Sequence, residues 1–333
     1  MEELTFAQLG CTQREQILFD AARRCLPSEG VRNELGRVIQ LDRGYPLVCT
    51  QRGITRAEHA MKVVKKSGYR STVGDWVVVA FPQDHDKAVI ATVLDRRNAF
   101  ERRDPSSKNG CQVLATNIDV VFIVASLSGE GIDVAHLQRE LVMAHDCDAR
   151  VVVVLSKTDL APCDTYDIDK MRRDIGAIDV VAESAVEGTG IEQVRSLIPL
   201  GATGVLLGKS GVGKSALVNA LAGETIRLTG TVRVSDDEGR HTTVNRSIIA
   251  IPGGGLIIDM PGLRSFSLID AQHGIDETFP DVAALARSCR FRDCAHDHEP
   301  GCAVRAAVAC GELENQRVET YKALCLESAG VRY

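Results

Sequence analysis

Apolar residues fall into two rhythms along this chain. From Arg32 to about Phe100 they come in short pieces, RVIQLDRGYPLVCT, TVGDWVVVAF and KAVIATVLD, alternating or running apolar between Gly, Pro and Asp. Several short strands within about 70 residues predict a small β-barrel, with an OB-fold preferred; spacing alone does not separate it from an SH3-like barrel. Ahead of it, Gln13 to Arg24 has the spacing of an amphipathic helix, ended by the Pro-Ser-Glu-Gly break at 27–30. The polar segment ERRDPSSKNG, 101–110, reads as a linker.

After it, strands alternate with helices. NIDVVFIVASL, RVVVVL, DVVAES, TGVLLG, SIIAIP and GLIIDM read as strands, and VAHLQRELVMAH, MRRDIGAI and IEQVRSLI as helices. Near-continuous apolar strands separated by helices predict a mostly parallel sheet covered on both faces. From Arg287 the strand pattern gives way to helical spacing and cysteines.

The strongest chemical signal is GKSGVGKS, Gly208 to Ser215, which fits G-x-x-x-x-G-K-[ST] between the strand TGVLLG and a helical pattern. Backbone N–H groups of such a loop and of the helix behind it point at phosphate oxygens, where the helix dipole favours anions. Gly208, Lys209, Ser210, Gly211, Val212, Gly213 and Ala216 would wrap the phosphates, Lys214 would reach the β and γ phosphates, and Ser215 would offer its hydroxyl to Mg²⁺. Downstream, 44 residues after Ser215, a strand ends in D-x-x-G: Asp259 for Mg²⁺ and Gly262 for the γ phosphate. Between them GRHTTVNRS carries Thr242 and Thr243, either of which could close over Mg²⁺ as a switch threonine; Thr243 is the one assigned.

A phosphate loop does not choose the base. Guanine is selected by a carboxylate that accepts from its N1–H and exocyclic amine, a pattern adenine does not offer. No N-K-x-D element follows Asp259, but upstream the strand RVVVVL runs into Ser156-Lys157-Thr158-Asp159. Asp159 is the candidate guanine reader, the Lys157 stem packs over the base, and Ser156 replaces the usual Asn at the loss of one amide. Twenty-five residues on, Ser184-Ala185 matches a loop that contacts guanine O6. The GTPase elements are therefore complete but rotated, with base motifs first and phosphate motifs second, and PLGATG at 199–204 is the join.

CRFRDCAHDHEPGC supplies Cys289, Cys294, His296 and Cys302, three thiolates and an imidazole suited to a closed tetrahedral Zn²⁺ site. His298 is the alternative imidazole, while Cys310 and Cys325 read as core. Eleven cysteines without a secretory signal suggest a reducing, cytosolic compartment. Hydrophobic residues at 44% and charged residues at 25% describe a soluble protein, and no apolar run reaches the roughly 18 residues of a membrane span. Net charge is −6, but residues 31–110 carry +6, leaving −12 elsewhere, so a basic module sits on an acidic chain.

Together, TVGDWVVV, SKTDL, GKSGVGKSALVNAL, GRHTT, DMPG and the Cys–His cluster resemble the circularly permuted, ribosome small-subunit-dependent GTPases (RsgA) over nearly the whole chain. The cluster matches that family's C-x4-C-x-H-x5-C at every position, which favours His296 over His298. The resemblance implies an OB-fold (31–105) after an N-terminal extension (1–30), a permuted α/β P-loop GTPase domain (110–272) and a mainly helical zinc domain (273–333). It implies GTP with Mg²⁺, one structural Zn²⁺, and a partner in the small ribosomal subunit, both rRNA and ribosomal proteins, with no membrane; a monomer is expected. Arg52, Lys65, Lys66 and Arg70 would meet RNA phosphates. Leu263 stands where many GTPases place a water-orienting Gln, so slow intrinsic hydrolysis is expected, and His241 beside the threonines is the candidate for positioning water. The competing readings are a nucleotide-dependent RNA-binding module without significant turnover and a P-loop phosphotransferase.

Overall fold

The computed structural model describes residues 6–27, 30–42, 45–60, 70–83, 87–103, 111–128, 132–161, 171–172, 175–176, 178–223, 246–260, 268 and 270–330. His241, Thr242, Thr243, Gly262, Leu263, Lys65 and Lys66 lie outside the described residues. Strands β1 (Val31–Asp42), β2 (Tyr45–Thr50), β3 (Gly53–His59), β4 (Trp76–Pro82) and β5 (Ala88–Val93) run in the order β1-β2-β3-β5-β4, and β4 closes back on β1. β3 and β5 are parallel and the other pairs antiparallel, a closed five-stranded barrel of the expected OB type. The apolar run WVVVAF is explained by its two faces. Val77 and Val79 fill the barrel with Val38, Val48 and Ile90, while Trp76 and Val78 face outward into a core shared with the second module. The amphipathic helix is α1 (Gln13–Arg23), capped by Thr12 and Glu15, and it contributes Phe19 to that shared core.

The second sheet reads β10 (Asp179–Ala182), β9 (Arg150–Ser156), β8 (Val120–Ser126), β11 (Thr203–Leu207), β13 (Leu256–Asp259) and β12 (Arg246–Ala250). All neighbours are parallel except β12–β13. Alternate residues of each central strand enter different cores. Val121, Ile123, Val153, Leu155 and Val205 pack under α2 (Val134–His145), and Phe122, Val124, Val152, Val154 and Leu206 under α3 (Ile191–Ser196) and α4 (Lys214–Ala222). This two-sided burial is what the unbroken apolar runs encoded. The chain leaves the sheet's edge at β10 and re-enters at its centre with β11, beside β8, the first strand of the module. That is the rotated order expected from the motifs.

Three features depart from the expectations. RVIQLDRGYPLVCT is a hairpin of two strands, β1 and β2, and β3 was not anticipated. Residues 101–103 of the supposed linker belong to β6 (Ala99–Arg103), which pairs with β7 (Cys111–Thr116). Cys310 is exposed rather than core, whereas Cys325 is half-buried and packs against a C-terminal core, as expected.

The two modules share one sheet, because β12 also pairs with β1 through Gln40↔Ser247 and Leu41↔Arg246. Beside this seam Arg37 is 1% exposed. Its Nε donates to Gly74 O (3.1 Å), Nη1 to Leu9 O (2.6 Å) and Thr203 Oγ1 (2.9 Å), and Nη2 to Asn117 O (3.2 Å). One guanidinium thus joins the N-terminal segment, the barrel, and the chain at the starts of β8 and β11. The helices α5 (Gln272–Thr278), α6 (Pro280–Ala286), α7 (Ala303–Ala309) and α8 (Asn315–Ser328) form a third core that takes in Val142 of α2. Arg139 on α2 clamps Glu327 on α8 through two bonds of 2.6 and 3.1 Å. No helix among the described residues is long and apolar enough to cross a membrane.

Candidate GTP site and metal cluster

The carboxyl ends of the parallel strands collect the predicted motifs on one edge of the sheet, where open α/β folds bind ligands. The phosphate loop leaves β11, Asp259 ends β13, Ser156 ends β9, and Ser184 follows β10. Gly208 sits at φ +137°, and a Cβ there would stand 2.4 Å from Val124 O, so only glycine lets the loop leave between β8 and β11. Lys214, at the start of α4, donates from Nζ to Gly208 O (2.6 Å) and Lys209 O (2.7 Å), which holds the ammonium inside the curl of the loop. Burial lowers its pKa, opposed by the charges of Glu140 and Asp259. Burial raises the Asp259 carboxyl although Lys214 pulls it down, so this carboxylate stands to gain from an added cation. Ser215 and Ala216 are exposed on the first turn of α4. Lys209 pairs with Asp133, the N-cap of α2, at 2.9 Å.

The base motif is tied directly to this loop. Ser156, fully buried, places Oγ 2.5 Å from Val212 O and 3.3 Å from Ala125 O. A hydroxyl has one proton, so the shorter contact is the bond, and it crosses from β9 to the phosphate loop. The serine hydroxyl therefore ties the base motif to the phosphate loop. Lys157 adopts φ +60° and donates from Nζ to Gly211 O at 2.7 Å, so its stem spans from the base motif to the loop. Thr158 to Leu160 form a 3₁₀ turn whose first N–H bonds Glu183 O (3.2 Å). Ser184 Oγ donates to Asp159 Oδ1 at 2.7 Å and accepts from Glu187 N–H, which fixes the orientation of the carboxylate. Ser184 thus orients the Asp159 carboxylate.

Sequence reasoning passed over Glu183. It is 1% exposed, its Oε2 has no hydrogen-bond partner among the described residues, and burial beside Asp159 raises its pKa to about 7. An acid raised from 4.5 to about 7 lowers stability as pH climbs between those values and costs no further stability above them. Glu183→Gln is therefore expected to be more stable than the parent at pH 8 by on the order of 2 kcal/mol, with the advantage vanishing near pH 4.5. Urea melts at both pH values check this, and parallel pH dependences would contradict it.

In the third core, Cys289, Cys294, His296 and Cys302 bring their ligand atoms within 4.8 Å of one another. Cys289 Sγ lies 3.9 Å from Cys302 Sγ, and His296 Nδ1 lies 3.6 and 3.4 Å from those two sulfurs. A tetrahedron with M–S of about 2.3 Å and M–N of about 2.0 Å has edges of about 3.8 and 3.5 Å, so the set fits a thiolate-rich tetrahedral ion. The turn carrying His296 is held by Glu299, which accepts from the N–H groups of Ala295, Asp297 and His298 and has its pKa drawn down to about 2. Cys302 caps α7, accepting from Arg305 N–H at 3.4 Å. Glu299 is a supporting residue that the Cys/His spacing does not reveal.

Comparison with known proteins agrees with this geometry. The family model described as RsgA GTPase matches residues 93–269, more than half of the chain. The chain is 41% identical over 296 residues to the small ribosomal subunit biogenesis GTPase RsgA of Streptomyces coelicolor, covering 88% of this chain and 80% of that one. A protein of the same name from Methanosarcina acetivorans is 36% identical over 84% of this chain and 74% of its own. Among solved structures, YjeQ from Thermotoga maritima superposes with a TM-score of 0.64 at 26% identity, covering 90% of this chain and all of that one. YloQ, described as a circularly permuted GTPase, shares the fold with a TM-score of 0.62 at 24% identity, over 91% of this chain and 97% of its own. With its base motif and phosphate loop joined on one sheet edge in rotated order, the chain belongs to the RsgA GTPase family of GTP-hydrolysing enzymes.

Proposed function

We propose that the protein is a late maturation factor of the small ribosomal subunit, which docks on it with GTP bound and leaves after hydrolysis. The observation that carries the GTP site is the pair of tethers, Ser156 to Val212 O and Lys157 to Gly211 O, which fix Asp159 relative to the phosphate loop. The names of its relatives support the ribosomal role. In this reading Asp159 accepts from the guanine edge with Ser184-Ala185 beside it, and the loop from Gly208 to Ala216 encloses the phosphates. Ser215, Asp259 and Thr243 hold Mg²⁺, which neutralises phosphate charge when bound, Gly262 contacts the γ phosphate, and His241 positions the attacking water. Cys289, Cys294, His296 and Cys302 hold a structural Zn²⁺ that shapes a docking module, and the barrel meets rRNA. The protein acts in the cytoplasm as a monomer.

The test is turnover of GTP and ATP with and without purified small subunits. Slow, GTP-specific hydrolysis that rises at least tenfold with the subunit is expected. GTP turnover indifferent to the subunit would remove the ribosomal role while leaving the enzyme.

A further inference from the structure

The last turn of α8 reaches back to the GTPase module. Glu327 Oε1 accepts from Arg139 Nη2 on α2 (2.6 Å) and from the Leu268 N–H (3.0 Å), while Oε2 accepts from Arg139 Nε (3.1 Å). Burial alone would raise the Glu327 carboxyl, but the bonds from Arg139 and the Leu268 N–H hold it below its ordinary pKa, so it is charged at neutral pH. Ser328 beside it accepts from the Ala271 N–H through Oγ (2.7 Å) and from the Asp270 N–H through its carbonyl (3.4 Å). Asp270 takes φ +46°, a left-handed turn that a non-glycine residue seldom adopts unless its surroundings fix it.

The place of these acceptors along the chain gives them a bearing on chemistry. The chain reaches Leu268 from the end of β13 and the D-x-x-G motif, Asp259 to Gly262. Leu268 is 4% exposed and belongs to the third core. The segment that begins at D-x-x-G is therefore fixed at one end by the central sheet and at the other by α8. Arg139 ties the same carboxylate to α2. That helix starts at the Asp133 cap, which holds Lys209 of the phosphate loop at 2.9 Å. Toward its other end, Gly274 of α5 approaches so closely that a Cβ would stand 2.1 Å from Val142 O. Glu327 thus joins a helix braced on the phosphate loop to the chain that returns from D-x-x-G.

We infer that Glu327 is a positioning residue for GTP hydrolysis, holding the chain that returns from D-x-x-G against α2 from within the C-terminal module. Hydrolysis depends on placing groups around the γ phosphate to within a fraction of an ångström, whereas holding the base and the inner phosphates is the work of Asp159 and the phosphate loop. This role rests on the proposed contact of Gly262 with the γ phosphate and not on the ribosomal reading, so the test needs no subunit.

The test is single-turnover GTP hydrolysis by the full chain, with GDP affinity and urea midpoints measured alongside. Glu327→Leu removes the acceptor from the Leu268 N–H and is expected to slow hydrolysis about tenfold, while GDP affinity stays within about twofold. Glu327→Gln also loses the charge, so its urea midpoint should fall as that of Glu327→Leu does. Its Oε1 can still accept from the Leu268 N–H, and most of the rate should return. Exchange of the pair, Arg139→Glu with Glu327→Arg, should restore the urea midpoint but not the rate, because a guanidinium cannot accept. A rate that follows stability across these variants would overturn the role and leave Glu327 a structural clamp. So would a parental rate in Glu327→Leu, or a loss of GDP affinity as large as its loss of rate. Gly262→Pro, which removes the one donor that glycine has, separates the two readings. If it hydrolyses GTP at the parental rate, the γ-phosphate contact and the role of Glu327 fall together. If it is impaired while Glu327→Leu is not, only the role of Glu327 falls.

Discussion

Removing the zinc proposed for the Cys289–Cys294–His296–Cys302 cluster is expected to unfold the C-terminal module. Between α6 and α7 the chain from Arg287 to Cys302 has no regular secondary structure, and its path is defined by the ligands and by the Glu299 fork. The core beneath is small and includes Cys302 itself with partly buried Cys289 and Cys294, so uncoordinated thiols would replace packed ligands there. Structural zinc in small modules supplies on the order of 10 kcal/mol of apparent binding free energy, more than such a core provides alone. Cys294→Ser should therefore contain less than one equivalent of zinc and lose the C-terminal helices to limited proteolysis. The central sheet should survive, because its cores meet the third one only through Val142 and Met143 on the far side of α2. A zinc-free protein with an intact, protease-resistant C-terminal module would contradict the assignment.

Arg37→Met is expected to lower stability by about 3–5 kcal/mol, more than an ordinary core substitution of similar volume. The loss would remove the donor to Leu9 O and Thr203 Oγ1 in a buried seam, while Gly74 O would keep only Asn117 Nδ2 (3.0 Å) and Asn117 O only Arg97 Nη2 (3.4 Å). Burial already draws the Arg37 pKa down to about 10, yet it remains charged at neutral pH, so desolvation and four acceptors are balanced against each other. Lys at this position should recover only part of the stability, since an ammonium cannot serve acceptors on all sides as a planar fork does. Urea denaturation of the three proteins measures this. A loss under 1 kcal/mol for Arg37→Met would show that the seam is held by strand pairing and apolar packing alone.

The seam also has a mechanical consequence. β12 follows directly on the segment that carries the expected switch threonines, and it pairs with β13 on one side and with barrel strand β1 on the other. Displacement of β12 would therefore be felt by both the Asp259 strand and the barrel.

How much of this was legible in the sequence depends on the range of the interaction. The phosphate loop, the Ser156–Asp159 turn and the parallel strands are local patterns, and they stand where their spacing placed them. The Cys/His spacing likewise converged in space. β3 escaped notice because GITRAEH puts exposed charges on a barrel strand whose single inward anchor is Ala57. The β6–β7 hairpin escaped because its pairing crosses a polar segment that reads as a linker. The β1–β12 pairing, the buried Arg37 and the raised Glu183 are properties of contacts between distant segments. A lone Arg in RVIQLD or a Glu in AESA carries no local mark of them. Ser156 shows the reverse case: its identity suggested a loss, and its position shows a hydroxyl that reaches the loop.

The measurement that bears most directly on a single rotated guanine-nucleotide site is the nucleotide preference of Asp159→Asn. The Asp159 carboxylate, oriented by Ser184, should accept from guanine N1–H and the 2-amino group, and bonds to a charged acceptor contribute roughly 1.5–3 kcal/mol. The account predicts that the variant binds GTP at least about tenfold more weakly, while XTP, whose 2-oxo group can accept from the new amide, binds better than it does to the parent. An unchanged preference for GTP over XTP would mean that Asp159 does not read the base, and that the turn at Ser156–Asp159 only braces the phosphate loop.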